Sequence, residues 1–206
     1  MSHNKNTTLK KINIMTLGNS AVGKTTFIIR YTENTFKEVY LTTLGIDYKT
    51  KVIKLKNKIS YMINFFDTAG QEKYKSISIN VIKNAHGVLL MYDITNRESF
   101  DSISNWMKNI IDIKGKNFPI ILLGNKTDLV EKREVSSEEG ENLAKQFGIK
   151  FFEISNKFGT NVEEAGLELI NQVVEKQNNL NELEKNNSIK INKTNLRKKG
   201  KKECNC

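Results

Sequence analysis

This 206-residue chain contains one proline and only two cysteines, and both cysteines lie within its last three residues. A disulfide therefore cannot cross-link the body of the fold. No apolar run reaches the ~20 residues that span a bilayer. Residues 1–11 are polar and basic with no apolar stretch behind them, so we expect no secretory signal. These absences argue against a disulfide-stapled secreted domain and an integral membrane protein. They predict a cytosolic chain that is soluble or attached to a membrane from outside.

The chain is basic, with 33 Lys and Arg against 23 Asp and Glu and a net charge of +10. This excess is unevenly placed. Residues 178–206 hold eight basic and three acidic side chains, so the segment has a net charge of 8 − 3 = +5, half of the total +10. The same segment is rich in asparagine and poor in large apolar side chains, so it cannot bury enough surface to offset its conformational entropy. We predict a flexible N-terminus at 1–9, one domain at 10–177 and a disordered basic tail at 178–206.

The body alternates between apolar strand-like segments and helical patterns. Helical spacing relates the apolar side chains that follow residue 99 and again those between 162 and 173, and Ser136 and Glu139 have the spacing of a capping box. Pro119 fits the start of a strand, where no donor is needed. The alternation predicts an α/β fold with a mainly parallel six-stranded sheet and helices on both faces. The predicted strands lie at 11–17, 51–55, 61–66, 88–92, 120–123 and 151–154.

The first motif is GNSAVGKT at residues 18–25, which matches G-x-x-x-x-G-K-[ST] between a strand pattern and a helix pattern. Its glycines allow successive backbone N–H groups to point at phosphate oxygens, and the helix N-terminus adds its dipole. Lys24 would reach the β- and γ-phosphates, and Thr25 would bind Mg²⁺. The alternative is a chance glycine-rich turn, which the strand and helix context disfavours. The predicted phosphate-binding residues are Gly18, Asn19, Ser20, Ala21, Val22, Gly23, Lys24, Thr25 and Thr26.

The second motif is DTAGQE at residues 67–72, directly after an apolar strand pattern. Asp67 can hold the hydration shell of Mg²⁺, and the backbone N–H of Gly70 can turn towards a γ-phosphate. Gln71 stands where a side-chain amide could orient an attacking water. A loop of small polar residues is the alternative, but it explains neither the order of these residues nor their distance from the first motif.

Two further motifs address the base. Residues 125–128 (NKTD) and 155–157 (SNK) each follow a predicted strand. The carboxylate of Asp128 can accept hydrogen bonds from both N1–H and the 2-amino group of guanine, whereas adenine lacks that pair of donors. A buried polar group left unpaired by the wrong base makes such a site selective. Together, at the carboxyl ends of successive strands, the four motifs predict a guanine-nucleotide site. The base-binding residues would be Asn125, Lys126, Asp128, Ser155, Asn156 and Lys157.

With these motifs in place, residues 10–175 resemble the small Ras-like GTPases, and within them the Rab family. The features typical of Rab proteins are LGIDY at 44–48, YDITNRESF at 92–100 and the ending Cys-Asn-Cys, and the secretory branch is the nearest in resemblance. The resemblance implies the P-loop NTPase fold. It also implies a GTP/GDP-switched regulator of vesicle-mediated membrane trafficking that hydrolyses GTP with Mg²⁺ and recruits effectors in the GTP state.

The resemblance assigns further residues by position. Thr43, which follows Thr25 by 18 residues, matches the first-switch threonine that binds Mg²⁺ and the γ-phosphate in the GTP state. Phe36 matches the aromatic residue that packs on the guanine edge. Gln71 would orient the attacking water and Lys24 would stabilise charge, so these two are the catalytic residues. Thr25, Thr43 and, through water, Asp67 would hold the metal. No arginine supplied in cis is evident, so an activating protein would have to provide one.

Several positions depart from the Rab pattern. Phe66 stands where Rab proteins usually have Trp, and Val81 and Ile82 replace a Tyr pair. Tyr48, Phe66 and Val81 occupy the aromatic triad that effectors contact in the family, so we expect an altered effector preference rather than mere repacking. Asn156 replaces the usual Ala. Because the backbone N–H at that position is what meets guanine O6, we expect this change to matter less.

The chain end resembles the Rab C-x-C signal, in which Cys204 and Cys206 each receive a geranylgeranyl group. Two lipid chains give stable anchoring, and basic side chains nearby add affinity for an anionic surface. A solvated tail with two idle thiols and a two-cysteine metal site are the alternatives. The resemblance implies a monomer that cycles between the cytosol and the cytoplasmic face of an intracellular membrane and binds no nucleic acid. Its partners would be an exchange factor, a GTPase-activating protein, a GDP-dissociation inhibitor, a prenylation escort protein and effectors.

Two other classes of protein stay open. A nucleic-acid-binding protein would use the positive charge, but that charge is concentrated in the tail and no aromatic-plus-basic motif appears. A nucleotide-binding scaffold that does not hydrolyse GTP is the second alternative, and the presence of Gln71 and Thr43 argues against it.

Overall fold

The computed structural model of the protein describes residues 9–36, 46–56, 58–68 and 82–199. Six strands form one sheet in the order β2-β3-β1-β4-β5-β6. The strands β2 and β3 pair antiparallel, and every other pair is parallel. This confirms the predicted mainly parallel six-stranded sheet. The strands are β1 Lys10–Leu17, β2 Ile46–Lys54, β3 Ser60–Thr68, β4 Gly87–Asp93, β5 Ile120–Asn125 and β6 Lys150–Ile154.

Five α-helices whose two ends both lie in the described residues connect or follow these strands. Asn96 caps the second helix, since its side chain accepts a hydrogen bond from the backbone N–H of Ser99. The predicted capping box is present at the fourth helix, where Ser136 and Glu139 each bond the other's backbone N–H. Such caps satisfy donors that have no partner inside the helix. The helices are α1 Lys24–Glu33, α2 Arg97–Asp101, α3 Ile103–Lys114, α4 Ser137–Phe147 and α5 Val162–Lys199.

The core lies on both faces of the sheet, and the neighbouring strands β4 and β5 are buried along their full length. All seven residues of β4 and all six of β5 are buried, as expected for parallel strands covered on both sides. On one face Phe27 and Tyr31 of α1 pack against the sheet, and the Tyr31 ring lies 5.0 Å from that of Phe65. Gly166 is required beside this ring, because a Cβ there would come within 2.1 Å of Tyr31 Cε2. Dense packing of this kind fixes the sheet that carries the site.

The structure divides into two units, Met1–Ile170 and Asn171–Cys206. The first contains all six strands. In the second, α5 continues through Lys199. The disordered basic tail expected from residue 178 stays a prediction. Residues 171–199 contain neither glycine nor proline, so nothing interrupts the helical backbone bonds. The boundary expected at residue 177, between the domain and the basic tail, stays a prediction. Within the described residues no helix is long and apolar enough to cross a bilayer.

Candidate functional site

The parallel arrangement brings the carboxyl ends of β1, β3, β4, β5 and β6 to one edge of the sheet, and the predicted motifs follow four of these ends. β1 ends at Leu17 before the first motif, and β3 ends at Thr68 within the second. β5 ends at Asn125, and β6 ends at Ile154 just before the fourth motif. In open α/β sheets this edge is where ligands bind. The fold therefore gathers motifs that lie more than 100 residues apart in sequence.

The phosphate loop, residues 18–23, depends on left-handed backbone at three positions. Gly18 has φ 136°, Ala21 has φ 61° and Gly23 has φ 103°. At Gly18 a Cβ would come within 2.0 Å of the carbonyl oxygen of Met91, so glycine is required by space as well as by conformation. Ala21 adopts a conformation that side chains disfavour. The loop is thus bent against β4 before α1 begins at Lys24.

Lys24 is buried under this loop, with only 5% of the residue exposed. Its Nζ donates to the carbonyl oxygens of Gly18 at 3.0 Å and Asn19 at 2.7 Å. Burial lowers the pKa of Lys24 to about 8, against the opposing effect of the Asp67 carboxylate. The ammonium group is therefore held in place by backbone oxygens, in a setting where removal from water disfavours its charge. An anionic ligand at the loop would favour that charge.

Thr25 and Asp67 meet across the gap between α1 and β3. Thr25 Oγ1 donates to Asp67 Oδ2 at 2.5 Å, and Asp67 is buried. A hydroxyl oxygen and a carboxylate side by side are hard oxygen donors, which is the ligand chemistry of Mg²⁺. These two side chains fit the metal that the sequence predicts. Thr43, the third predicted ligand, lies outside the described residues.

Asp128 and Ser155 also meet, although they come from different loops. Ser155 Oγ donates to Asp128 Oδ1 at 2.6 Å. The same hydroxyl oxygen accepts a hydrogen bond from the backbone N–H of Phe158 at 3.2 Å. Ser155 therefore orients the carboxylate that the sequence assigns to the base. A carboxylate bonded on one oxygen retains acceptor capacity for further donors.

Lys126 precedes Asp128 by two residues and is fixed by an acidic residue of β4. Its ammonium Nζ is 2.6 Å from Asp93 Oδ2, and its backbone is left-handed with φ 71°. Asp93 also accepts hydrogen bonds from Thr95, through the backbone N–H at 2.9 Å and the hydroxyl at 2.7 Å. Sequence analysis did not assign Asp93, although this residue directly follows the predicted strand 88–92.

Two asparagines connect the base motifs to the phosphate loop. Asn125 Nδ2 donates to the carbonyl oxygen of Val22 at 2.8 Å, and Asn156 Nδ2 donates to that of Gly23 at 2.9 Å. The backbone N–H of Asn156 donates to Asn125 Oδ1 at 3.3 Å. The four motifs are therefore one hydrogen-bonded unit at the sheet edge.

Arg30 is a residue of this unit that sequence analysis missed. Its guanidinium donates to the carbonyl oxygens of Asn156 at 2.8 Å, Lys157 at 2.6 Å and Asn34 at 3.1 Å. It also lies 5.9 Å from the ring centroid of Phe36. Arg30 thus links α1 to the loop after β6 and to the aromatic residue expected at the base. Its contacts span 126 and 127 residues, so no local pattern could have predicted them.

The side chain of Asn19 has two long-range partners that the sequence did not indicate. Its Oδ1 accepts a hydrogen bond from Trp106 Nε1 at 3.0 Å, and its Nδ2 donates to Ser102 Oγ at 3.0 Å. Trp106 belongs to α3 and Ser102 lies immediately before it. The phosphate loop is therefore held from the side by the start of α3.

Several predicted residues fall elsewhere. Tyr48 and Phe66, which the resemblance assigns to the effector surface, have ring centroids 6.1 Å apart, and Tyr48 is 65% exposed. Some sites lie outside the described residues and stay predictions: Thr43, Gly70, Gln71, Val81, Cys204 and Cys206.

Comparisons with known proteins give matches over most of the chain. The model of the family described as "Ras family" matches residues 13–175. The chain is 42% identical to Ras-related protein Rab-8B of Pongo abelii over 165 residues, which is 80% of this chain and 79% of that protein. It is 43% identical to Ras-related protein Rab-13 of Canis lupus familiaris over 152 residues, or 74% of each chain. Over 186 residues it is 38% identical to Ras-related protein Rab-3C of Bos taurus, covering 90% of this chain and 81% of that protein.

Proposed function

Because the chain belongs to the Ras family and is a Rab-type small GTPase of vesicle trafficking, we propose that its four motifs act together as a guanine-nucleotide switch site. Members of this family bind GTP and GDP and hydrolyse GTP. The observation that carries the residue assignments is the hydrogen-bonded unit at the sheet edge. In it Asn125 and Asn156 bond consecutive carbonyls of the phosphate loop, so the elements for base and phosphate are built as one site.

The phosphate end of the site would be formed by residues 18–26. Backbone N–H groups of the phosphate loop and the N-terminus of α1 would bind the α- and β-phosphate oxygens. Lys24, already placed by the carbonyls of Gly18 and Asn19, would bind the β- and γ-phosphates. Its charge is stabilised when an anion replaces the solvent that burial removed.

The base end would be formed by Asn125, Lys126, Asp128, Ser155, Asn156 and Lys157, with Phe36 against the edge of the ring. Asp128 would accept hydrogen bonds from guanine N1–H and the 2-amino group. Ser155, which donates to Asp128 Oδ1, would hold the carboxylate in the required orientation. Adenine presents an acceptor at N1 and no 2-amino group, so it would leave the carboxylate unpaired.

Replacing Asp128 with alanine tests the base assignment. We expect Asp128→Ala to weaken GDP binding by about 10²-fold, because two hydrogen bonds to a charged acceptor are lost. Titration calorimetry with GDP and with ADP at the same pH would measure the effect. The matched control is Asp112→Ala, which removes an exposed carboxylate from α3. An Asp128→Ala protein that retains the parent's preference for GDP over ADP would contradict the assignment.

Mg²⁺ fits beside the phosphates, where it would neutralise charge on the β- and γ-phosphate oxygens. Thr25 and Thr43 would bind it directly, and Asp67 would bind it through water. The neighbouring oxygens of Thr25 and Asp67 support this placement, because they are the oxygen donors that the ion prefers.

The same groups would operate the switch. With GTP bound, Thr43 and the backbone of Gly70 would contact the γ-phosphate, and Gln71 would orient the attacking water. After hydrolysis those contacts are lost, so both segments are released. Effectors would distinguish the two states at a surface that includes Tyr48, Phe66 and Val81. The exposed Tyr48 ring beside Phe66 supports a contact role for that pair.

Regulators and effectors are general to this family, and its members have membrane-associated roles. For this chain we expect an exchange factor, a GTPase-activating protein, a GDP-dissociation inhibitor and a prenylation escort protein. Cys204 and Cys206 would each carry a geranylgeranyl group, and the basic residues at 197–202 would favour an anionic cytoplasmic surface.

Mass spectrometry tests the proposed lipid sites. On protein isolated from cell membranes we expect a C-terminal peptide with two geranylgeranyl groups, one on each cysteine. The same peptide from a Cys204→Ser, Cys206→Ser protein would carry none, and that protein would be recovered from the soluble fraction. Unmodified cysteines in the membrane-bound parent would contradict the proposal.

A further inference from the structure

We propose that the side chain of Asn156 is a positioning residue that slows release of the guanine nucleotide, because it binds the base loop, residues 155–157, to the phosphate loop. The inference rests on the proposed function of the site. It concerns a side chain to which sequence analysis gave little weight, since only the backbone N–H at that position was expected to act.

The amide of Asn156 uses both of its hydrogens on Gly23 and Thr26, near the end of the phosphate-binding segment 18–26. Nδ2 donates to the carbonyl oxygen of Gly23 at 2.9 Å and to Thr26 Oγ1 at 3.0 Å. Thr26 Oγ1 in turn donates to the same Gly23 carbonyl at 2.8 Å. The three groups form a closed triangle in which each hydrogen has an acceptor. An alanine at position 156 could form neither of the two bonds that Nδ2 donates.

The orientation of the amide follows from this chemistry. Exchanging its oxygen and nitrogen would set a carbonyl oxygen against the Gly23 carbonyl, and two acceptors cannot bond. Asn156 is 3% exposed, and within the described residues its Oδ1 has no hydrogen-bond partner. Burying an unpaired acceptor is unfavourable, so the side chain holds this orientation for its two donor bonds.

Asn156 adds to the contact that Asn125 makes. Asn125 Nδ2 bonds the Val22 carbonyl and Asn156 Nδ2 bonds the next one, Gly23. The two nitrogens crowd Gly23 so closely that a Cβ there would lie 2.3 Å from one and 2.9 Å from the other. The base loop is therefore in direct contact with the loop that would hold the phosphates.

Arg30 holds the other side of the base loop through the carbonyl oxygens of Asn156 and Lys157. With the backbone held there and the side chain bonded to Gly23 and Thr26, the base loop cannot move away from the nucleotide without breaking these bonds. Nucleotide release requires such movement. Loss of the side-chain hydrogen bonds of Asn156 should therefore raise the rate at which the nucleotide dissociates.

The experiment measures release of a fluorescent GDP analogue from the purified full chain after addition of excess GDP. We expect Asn156→Ala to release the analogue about tenfold faster than the parent, with the association rate unchanged. The isosteric Asn156→Asp keeps the shape but has no donor, so it should also release faster. The matched control is Asn64→Ala, which removes the hydrogen bond that Asn64 Nδ2 donates to Asn13 Oδ1 between β3 and β1. It should lower thermal stability and leave the release rate unchanged.

Release from Asn156→Ala within twofold of the parent would overturn the inference, as would an equal acceleration in Asn64→Ala. A double-mutant cycle with Thr26→Val adds a second criterion. The acceleration caused by Asn156→Ala should shrink when Thr26 has lost its hydroxyl, because the two side chains share a bond. Full additivity would contradict the triangle. If the parent did not bind the analogue, the proposed function would fail, and this outcome is distinct from a parent that binds and a variant that releases normally.

Discussion

Lys24→Met should weaken GDP and GTP binding by about 10³-fold at pH 7, because it removes one unit charge near two phosphate groups. An ammonium about 4 Å from a phosphate charge is worth roughly 4 kcal/mol at an effective dielectric constant of 20, which corresponds to about three decades in affinity. Equilibrium titration with a fluorescent GDP analogue measures the loss. A residual affinity supplied by the phosphate loop and the base contacts should remain detectable at high protein concentration.

Loss of folding would not explain this result. Burial lowers the pKa of Lys24 to about 8, so the fold favours the neutral form of this side chain relative to its ordinary value. Methionine is unbranched, similar in length and neutral, so it can occupy this buried position without a charge having to leave water. The unfolding midpoint of the nucleotide-free protein should therefore stay near that of the parent, although the bonds to Gly18 and Asn19 are lost.

Lys145→Met is the matched control for Lys24→Met, because it removes the same charge from an exposed position on α4. Lys145 pairs only weakly with Glu141, at 3.6 Å and in solvent. We expect it to leave nucleotide affinity unchanged, which separates a local contact from the effect of net charge. Equal affinity in Lys24→Met and the parent would contradict the role given to Lys24.

The sheet and the position of the site could be predicted from the sequence because their signals are local. Apolar runs of strand length and the phosphate-loop motif each depend on residues that are neighbours in the chain. Parallel pairing then places the ends of these strands at one edge. For this reason the contact between Thr25 and Asp67, 42 residues apart, follows from the predicted architecture.

The contacts that hold the site together could not be predicted. Arg30 reaches carbonyl oxygens 126 and 127 residues away, and Trp106 reaches Asn19 across 87 residues. A side-chain donor to a distant backbone oxygen leaves no periodicity in the sequence.

Asn156 illustrates the same limit. The resemblance assigns its backbone N–H to guanine O6 and gives its side chain little weight, whereas in the structure that side chain bonds Gly23 and Thr26. The role proposed for the side chain therefore depends on partners that lie 133 and 130 residues away in sequence. Only the three-dimensional arrangement supplies that information.

Gln71→Leu should retain nucleotide affinity and lose GTP hydrolysis. Gln71 follows the end of β3 at Thr68 by three residues and lies outside the described residues, so its assignment rests on the motif. Leucine is similar in size but has no amide to orient a water. With an activating domain that accelerates the parent, the hydrolysis rate of Gln71→Leu should fall on the order of 10³-fold. Single-turnover release of phosphate from GTP-loaded protein measures this rate.

Gln146→Leu makes the same substitution at an exposed position of α4 and should hydrolyse GTP at the parent rate. Two measurements on Gln71→Leu distinguish a loss of water orientation from general damage to the nucleotide site. Unchanged affinity for GDP would show that the site is intact, and the accumulated GTP form would bind effectors for longer. A Gln71→Leu protein that hydrolyses GTP as fast as the parent, with the activating domain present, would remove Gln71 from the mechanism. The attacking water would then have to be oriented by another group.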